Sequence, residues 1–187
     1  MKAAVVLLAS SEIQNFSRRV VYDLDRQYNR PFIGSVLPAH VSLKQTFAFE
    51  EMPPLESWFD RLAASIKPFQ IELDRFYHTA FNGYAILGLN VVEIPVLRTL
   101  HERLNRELAN VVINPKAVFD GETYRFHLTI EMGPVKDKDI YKAYFDALSS
   151  KEVNLSFKTR EIALFYYADR QPGPEAFMVY KVLPLSG

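Results

Sequence analysis

The chain contains no cysteine. That absence removes a disulfide framework, a thiolate nucleophile and any Cys-ligated zinc site, and it makes a reducing cytoplasm the default expectation for location. Long apolar runs are missing too. Nothing approaches the roughly 18 consecutive apolar residues of a membrane span, so no membrane association is expected, and the stretch Ala3 to Ala9 is too short for a secretory core with a cleavage site. Charge of one sign is not in excess: 22 Lys and Arg balance 22 Asp and Glu. A balanced chain lacks the basic field with which proteins hold long nucleic acids by their phosphates, but a small or locally engaged anionic substrate stays open. There is no His-Glu-x-x-His pair and no Gly-x-x-x-x-Gly-Lys loop, which argues against zinc hydrolysis and against a nucleotide triphosphatase.

What is present is a well-supplied core. The 187 residues are 49% hydrophobic and 13% aromatic, enough for one domain spanning 1–187, or two small lobes sharing a core, and a monomer is expected. Periodicity predicts a strand over 3–9 and a helix over 11–28, opened by Ser11 with Gln14 three residues on as a capping box. An irregular stretch from Arg30 to Pro38 leads to a strand over 40–47. After Pro53-Pro54, Leu55, Trp58, Phe59, Leu62, Ala63 and Ile66 recur at helical spacing. Residues 69–79 and 84–92 alternate as strands about an Asn82-Gly83 turn. A helix from Pro95 carries Leu97, Leu100, Leu104 and Leu108 on one face, and a loop holding Asn114-Pro115 and Asp120-Gly121 leads to a strand over 124–131. A helix over 138–149 is expected to bury Ile140, Ala143, Tyr144, Ala147 and Leu148. Strands over 153–168 and 175–183 follow, separated by the turn-forming run Asp169 to Pro174.

The order of elements repeats: helix, strand opening with His, helix, strand, turn, strand, twice over. From His40 to Asn82 is 42 positions, and from His127 to Asp169 is 42 again. The expected fold is therefore α+β, a pseudo-twofold duplication of two antiparallel or mixed sheets with helices on their outer faces.

The two histidines open the tripeptides His40-Val41-Ser42 and His127-Leu128-Thr129. On a strand, residues i and i+2 share a face, so each His stands beside its hydroxyl while Val41, Leu43, Leu128 and Ile130 point into the core. The same alternation adds Lys44, Arg125 and Glu131 to the His face. Chance alone gives roughly 0.4 such His-x-Ser/Thr matches in a chain of this composition; two, at corresponding places in a repeat, point to one shared site. His78 and His101 match nothing and are expected to be structural or exposed.

Two imidazoles suit phosphodiester chemistry near neutral pH, because with an ordinary pKa of about 6.5 one can be neutral and the other protonated. One takes a proton from water as it attacks phosphorus; the other gives a proton to the departing ribose oxygen. Ser42 and Thr129 would hydrogen-bond the non-bridging oxygens, and Lys44 and Arg125 would pair with the phosphate. Neither a metal nor a cofactor is required. Phe47, Tyr84 or Tyr124 could stack a base.

The duplicated tripeptides, each on a strand and each followed by an aliphatic residue, resemble those of the 2H phosphoesterase superfamily and, within it, the 2′-5′ RNA ligase-like branch. The resemblance extends over nearly the whole chain in its order of elements. It implies a bilobal fold with a central cleft, no cofactor, and hydrolysis of 2′,3′-cyclic phosphates or related nucleotide and RNA-end phosphodiesters, with 2′-5′ RNA ligation as a reverse reaction. His40 and Ser42 match the first motif, His127 and Thr129 the second. Ser42 departs from the commoner Thr, and Glu131-Met132 stands where many members place small or basic residues, which favours a small nucleotide or RNA-end substrate over long RNA. The other function the residues allow is a non-catalytic module that binds nucleotides or RNA ends in the same cleft.

Overall fold

The computed structural model describes residues 1–28, 37–81, 83–117, 119–167 and 177–187. Along the chain run β1 (Lys2–Leu8), α1 (Ser11–Tyr28), β2 (His40–Ala48), α2 (Met52–Ser65), β3 (Gln70–Phe81), β4 (Tyr84–Val91), α3 (Pro95–Leu108), β5 (His127–Pro134), α4 (Lys138–Leu148), β6 (Leu155–Lys158), β7 (Glu161–Tyr167) and β8 (Phe177–Pro184). The class is α+β, as the sequence predicts. The sheet arrangement is not. Instead of two sheets there is one eight-stranded antiparallel sheet in the order β6-β3-β4-β5-β2-β1-β7-β8.

The reason lies at the centre of that order. β2 and β5 pair through a single residue couple, Val41 with Leu128, whereas their outer neighbours pair over most of their lengths. The two four-stranded halves are thus fused at the first residues of the two His strands. A second departure follows from the ends of the sheet. The expected strand over 153–168 is broken at Thr159-Arg160: β6 pairs with β3 at one edge, and β7 pairs with β1 near the other. The three steps from Lys158 to Glu161 span at most about 10 Å, so the sheet curls strongly enough to bring those regions together. Thr159 anchors the break, its N–H donating to the Phe69 carbonyl at 2.7 Å and its hydroxyl accepting from the Phe69 N–H at 3.0 Å.

The hairpins do not occupy equivalent places. The second strand of the β3–β4 pair lies beside β5, while the first strand of the β7–β8 pair lies beside β1. The equivalence lies instead between β3 and β7, which stand at corresponding places beside β4 and β1, two strands out from β5 and β2; the end points of the 42-residue spacing, Asn82 and Asp169, fall outside the described residues, as do 30–36 of the irregular stretch and the Asp169–Pro174 run. Gly83 does carry the positive φ, 82°, that the turn between β3 and β4 requires.

The helices pack on one face of the sheet. Leu55, Trp58, Phe59, Leu62 and Ala63 of α2 and Leu97, Leu100, Leu104 and Leu108 of α3 are buried as expected, in one continuous core with Val5, Leu7, Val41, Leu43, Leu87, Leu89 and Leu128. In α4 the buried stripe is Tyr141, Tyr144 and Leu148, while Ala143 and Ala147 face solvent. The larger rings take the inward positions because they remove more apolar area from water. Tyr141 also fills the space over Gly133, where a Cβ would lie 2.3 Å from its hydroxyl oxygen. The strand expected from 124 begins at His127, because Gly121–Thr123 forms a 3-10 turn and Tyr124 folds inward, its hydroxyl donating to the Ser42 carbonyl at 2.9 Å.

Candidate active site

Val41 and Leu128 are fully buried on the helix side, so alternation turns His40, Ser42, His127 and Thr129 to the opposite face, where all four are half-buried. The antiparallel couple Val41↔Leu128 also sets their arrangement. His40 lies across from Thr129, His127 lies across from Ser42, and the histidines are diagonal neighbours, a spacing of about 7–8 Å between strands. The four side chains named from sequence therefore form one compact quartet around the junction of the two half-sheets.

Both imidazoles are oriented by the same contact. Nδ1 of His40 lies 2.8 Å from the Pro38 carbonyl, and Nδ1 of His127 lies 3.0 Å from the Arg125 carbonyl, in each case two residues back. A carbonyl oxygen only accepts, so Nδ1 carries the hydrogen and Nε2 is left as the free nitrogen, a base when neutral and an acid when protonated. Desolvation lowers the pKa of His40 to about 4, opposed by the Pro38 carbonyl and assisted by any charge on His127. His127 is also held below the ordinary imidazole value, again by desolvation, against the Arg125 carbonyl. The sequence suggests one neutral and one protonated ring; in the free protein both are biased to the neutral form. An anion between them would reverse the bias by favouring imidazolium.

A β-bulge follows each tripeptide. Between β1 and β2 the pairing steps from Val6↔Ser42 to Val5↔Lys44, leaving Leu43 extra. Between β4 and β5 it steps from Gly88↔Thr129 to Leu87↔Glu131, leaving Ile130 extra. Each bulge reverses the alternation beyond it, so Lys44 and Glu131 turn into the helix side at 1% and 2% exposure. This removes Lys44 from the phosphate-facing set in which alternation places it. Its ammonium pairs with Asp120, whose Oδ2 also accepts from the Ala117 N–H at 2.9 Å. Burial lowers the Lys44 pKa, and the hydrogen bond and charge of Asp120 oppose that shift.

Arg125 stays exposed two residues before β5, on the rim of an open cleft of about 670 Å³ that also takes in Asp74, Asn90 and Arg98. Asn90 pairs across β4 and β5 with His127, so this cleft adjoins the His127 side of the quartet. Of the aromatic residues suggested as base platforms, Phe47 and Tyr124 are core, each 1% exposed, and Tyr84 is 43% exposed at the hairpin end of β4. His101 is fully buried, its Nδ1 donating to the Leu43 carbonyl at 2.8 Å and its Nε2 accepting from the Gly121 N–H at 3.0 Å. His78 packs against Phe145 of α4, with ring centroids 6.3 Å apart.

Four neighbours of the quartet are not apparent from sequence. Gln14, in the first turn of α1, does not cap its helix; Ser10 accepts from the Ile13 N–H. The Gln14 amide instead brackets Ala39, the residue before His40, accepting its N–H at 2.7 Å and donating to its carbonyl at 2.9 Å. Arg98, likewise the fourth residue of its helix, donates to the Gly121 and Tyr124 carbonyls at 2.7 Å each on the approach to His127. Phe165 meets the His40 ring edge-on at 4.9 Å, and Tyr77 meets the His127 ring edge-on at 5.6 Å. Their signals lie in residues distant along the chain, which periodicity does not connect.

A face with two Nε2 atoms and two hydroxyls on one strand junction, backed by helices, defines an α+β protein of the two-histidine phosphoesterase class. The model of the 2′-5′ RNA ligase superfamily matches residues 10–171, and the chain belongs to that family, a branch of the 2H phosphoesterases. Membership brings phosphodiesterase or RNA-ligase-type activity as the class of reaction. Among solved structures, TT0787 of Thermus thermophilus is similar over 100% of this chain and 99% of its own, with 16% identity and a TM-score of 0.67. E. coli LigT complexed with NADP+ is similar over 100% and 98%, at 15% identity and 0.58; Kluyveromyces marxianus Usb1 over 98% and 97%, at 16% and 0.54. No curated protein matches in sequence.

Proposed function

We propose that the chain is a metal-independent phosphodiesterase that opens 2′,3′-cyclic phosphates at nucleotides or RNA ends, with His40 as general base and His127 as general acid. The observation that carries this is the quartet itself: two Nε2 atoms freed by matched Nδ1–carbonyl bonds, on one face, diagonal across one residue couple. A single phosphate fits between two such nitrogens. The hydroxyls of Ser42 and Thr129 donate to its non-bridging oxygens, and Arg125 at the rim adds a cation. Lys44 has no part in it.

The division of roles follows from the two environments. His40 lies against Phe165, and the same face continues into buried Val6 and Ala163; its depressed pKa keeps it neutral and able to accept a proton. His127 borders the open polar cleft with Asn90 and Arg125, which has room for the ribose side of a substrate. His40 takes a proton from water as the new O–P bond forms. The bond from phosphorus to one ribose oxygen breaks, and His127, charged through the nearby phosphate anion, protonates that oxygen to leave a phosphomonoester. Exchange with solvent then resets both rings. E. coli LigT complexed with 3′-AMP and K. marxianus Usb1 with uridine monophosphate support a nucleotide as the substrate class. A ribose 5′-hydroxyl in place of the water, giving its proton to His40 while His127 protonates the departing 3′ oxygen, would join RNA ends through a 2′-5′ bond.

The test is hydrolysis of a 2′,3′-cyclic nucleotide in EDTA by the wild-type protein and the two alanine variants. Each histidine is expected to contribute about 10²–10⁴-fold. Turnover that survives both His40→Ala and His127→Ala contradicts the assignment. Tight nucleotide binding with no turnover would favour a binding module.

A further inference from the structure

Tyr77 of β3 reaches across β4 toward the quartet, and the residue beneath it is Gly88. A Cβ at Gly88 would lie 2.4 Å from Tyr77 Cε1 and 2.6 Å from the Leu128 carbonyl, so the ring needs glycine under it to lie flat on the sheet. Gly88 is paired with Tyr77 on one side and with Thr129 on the other, which brings the end of the ring to Thr129 while its edge meets His127. The Tyr77 hydroxyl oxygen is sealed from solvent and makes no well-formed hydrogen bond among the described residues. Burying such a group without a partner is costly, and Phe at this position would avoid the cost. Burial raises the phenol pKa far above neutrality, and the Thr129 side chain is the group that partly offsets this. Tyr77 is therefore a donor at any working pH.

Building on the phosphate site proposed above, we infer that Tyr77 is a positioning residue: its O–H donates to Thr129 Oγ1 when an anion binds, turning the Thr129 hydrogen toward the phosphate oxygen. The donor relay runs from Tyr77 to Thr129 to phosphate. It exists on one side only. At the corresponding place beside Ser42 stand Val6 and, beyond it, Ala163, neither of which can donate. Thr129 is thus the pre-aimed hydroxyl and Ser42 the adaptable one.

A double-mutant cycle tests this, read as the affinity for inorganic phosphate by calorimetry in wild type, Tyr77→Phe, Thr129→Ala and the double variant. Tyr77→Phe keeps the ring, and an unchanged thermal midpoint verifies that the fold is intact. One hydrogen bond of ordinary strength corresponds to about 3–10-fold weaker phosphate binding. The same substitution is expected to have no effect in the Thr129→Ala background and its full effect in a Ser42→Ala background. Equal losses in wild type and Thr129→Ala would mean that Tyr77 acts independently of Thr129, and overturn the inference; so would no loss in wild type. Should the wild-type protein bind phosphate yet open no cyclic phosphate, the proposed reaction fails while the cycle still decides the role of Tyr77. A protein that binds no phosphate overturns both.

Discussion

The strands β2 and β5 are near copies in their first five residues and differ in what surrounds them. Each opens with a half-buried His, places a hydroxyl two residues on, and inserts an extra residue after it. Each ties its imidazole Nδ1 to the carbonyl two residues back. Each is approached by the fourth residue of a helix, Gln14 for one and Arg98 for the other. The surroundings then diverge: His40 sits beside Phe165, Val6 and Ala163, while His127 sits beside Tyr77, Asn90 and an open polar cleft. Identical local geometry fixes where two nitrogens point. Under the reaction proposed above, the unequal environments would keep His40 neutral and leave His127 beside room for the leaving group, a division that two equivalent histidines could not make.

That contrast can be broken by changing the leaving group. With a cyclic nucleotide both alanine variants lose about 10²–10⁴-fold. With a nucleoside 3′-(4-nitrophenyl phosphate), whose leaving phenolate needs no proton, His127→Ala is expected to recover most of its loss and His40→Ala none. Steady-state release of nitrophenolate measures this, and equal recovery by both variants would erase the division of roles.

A smaller effect separates the residues after the bulges from those before them. Lys44→Met leaves Asp120, itself 26% exposed, without its partner, and loss of a hydrogen bond between charged groups costs about 1.5–3 kcal/mol, read as a lower midpoint in urea. KM for a cyclic nucleotide should stay unchanged, since the ammonium lies on the helix side. A raised KM with intact stability would return Lys44 to the phosphate.

The pH profile sharpens the comparison further. A general base must be deprotonated, so kcat/KM rises through the His40 pKa of about 4. A general acid must be protonated, so it falls above the His127 value, which desolvation keeps below that of a free imidazole. The optimum of kcat/KM is expected on the acid side of neutrality, and that of kcat at higher pH, because bound phosphate favours imidazolium. An optimum of kcat/KM well above pH 7 would contradict the depressed values.

Much of this site is legible in the sequence because its four central side chains come in two runs of three residues, where strand alternation alone decides which face each takes. The same rule fails for Lys44 and Glu131, because a bulge depends on the register of the neighbouring strand, which no short window contains. Gln14 reads as a helix cap from its spacing to Ser11, yet Ala39 offers its amide both a donor and an acceptor, and tertiary contact wins. Tyr77 becomes visible only once Gly88 is known to lie between it and Thr129. In the fold, the element order is readable from periodicity, but the split of β6 from β7 is not, since Thr159-Arg160 interrupts no hydrophobic pattern and only the curl of the sheet explains it.

The central claim is that one phosphate occupies the space between His40 and His127. NMR titration of the imidazole Cε1 protons with inorganic phosphate at fixed pH measures this most directly. Both resonances should move toward the imidazolium position along one saturation curve with a single dissociation constant, while His101, sealed in the core, stays in place. Movement of one histidine alone, or two curves with different constants, would contradict a shared site.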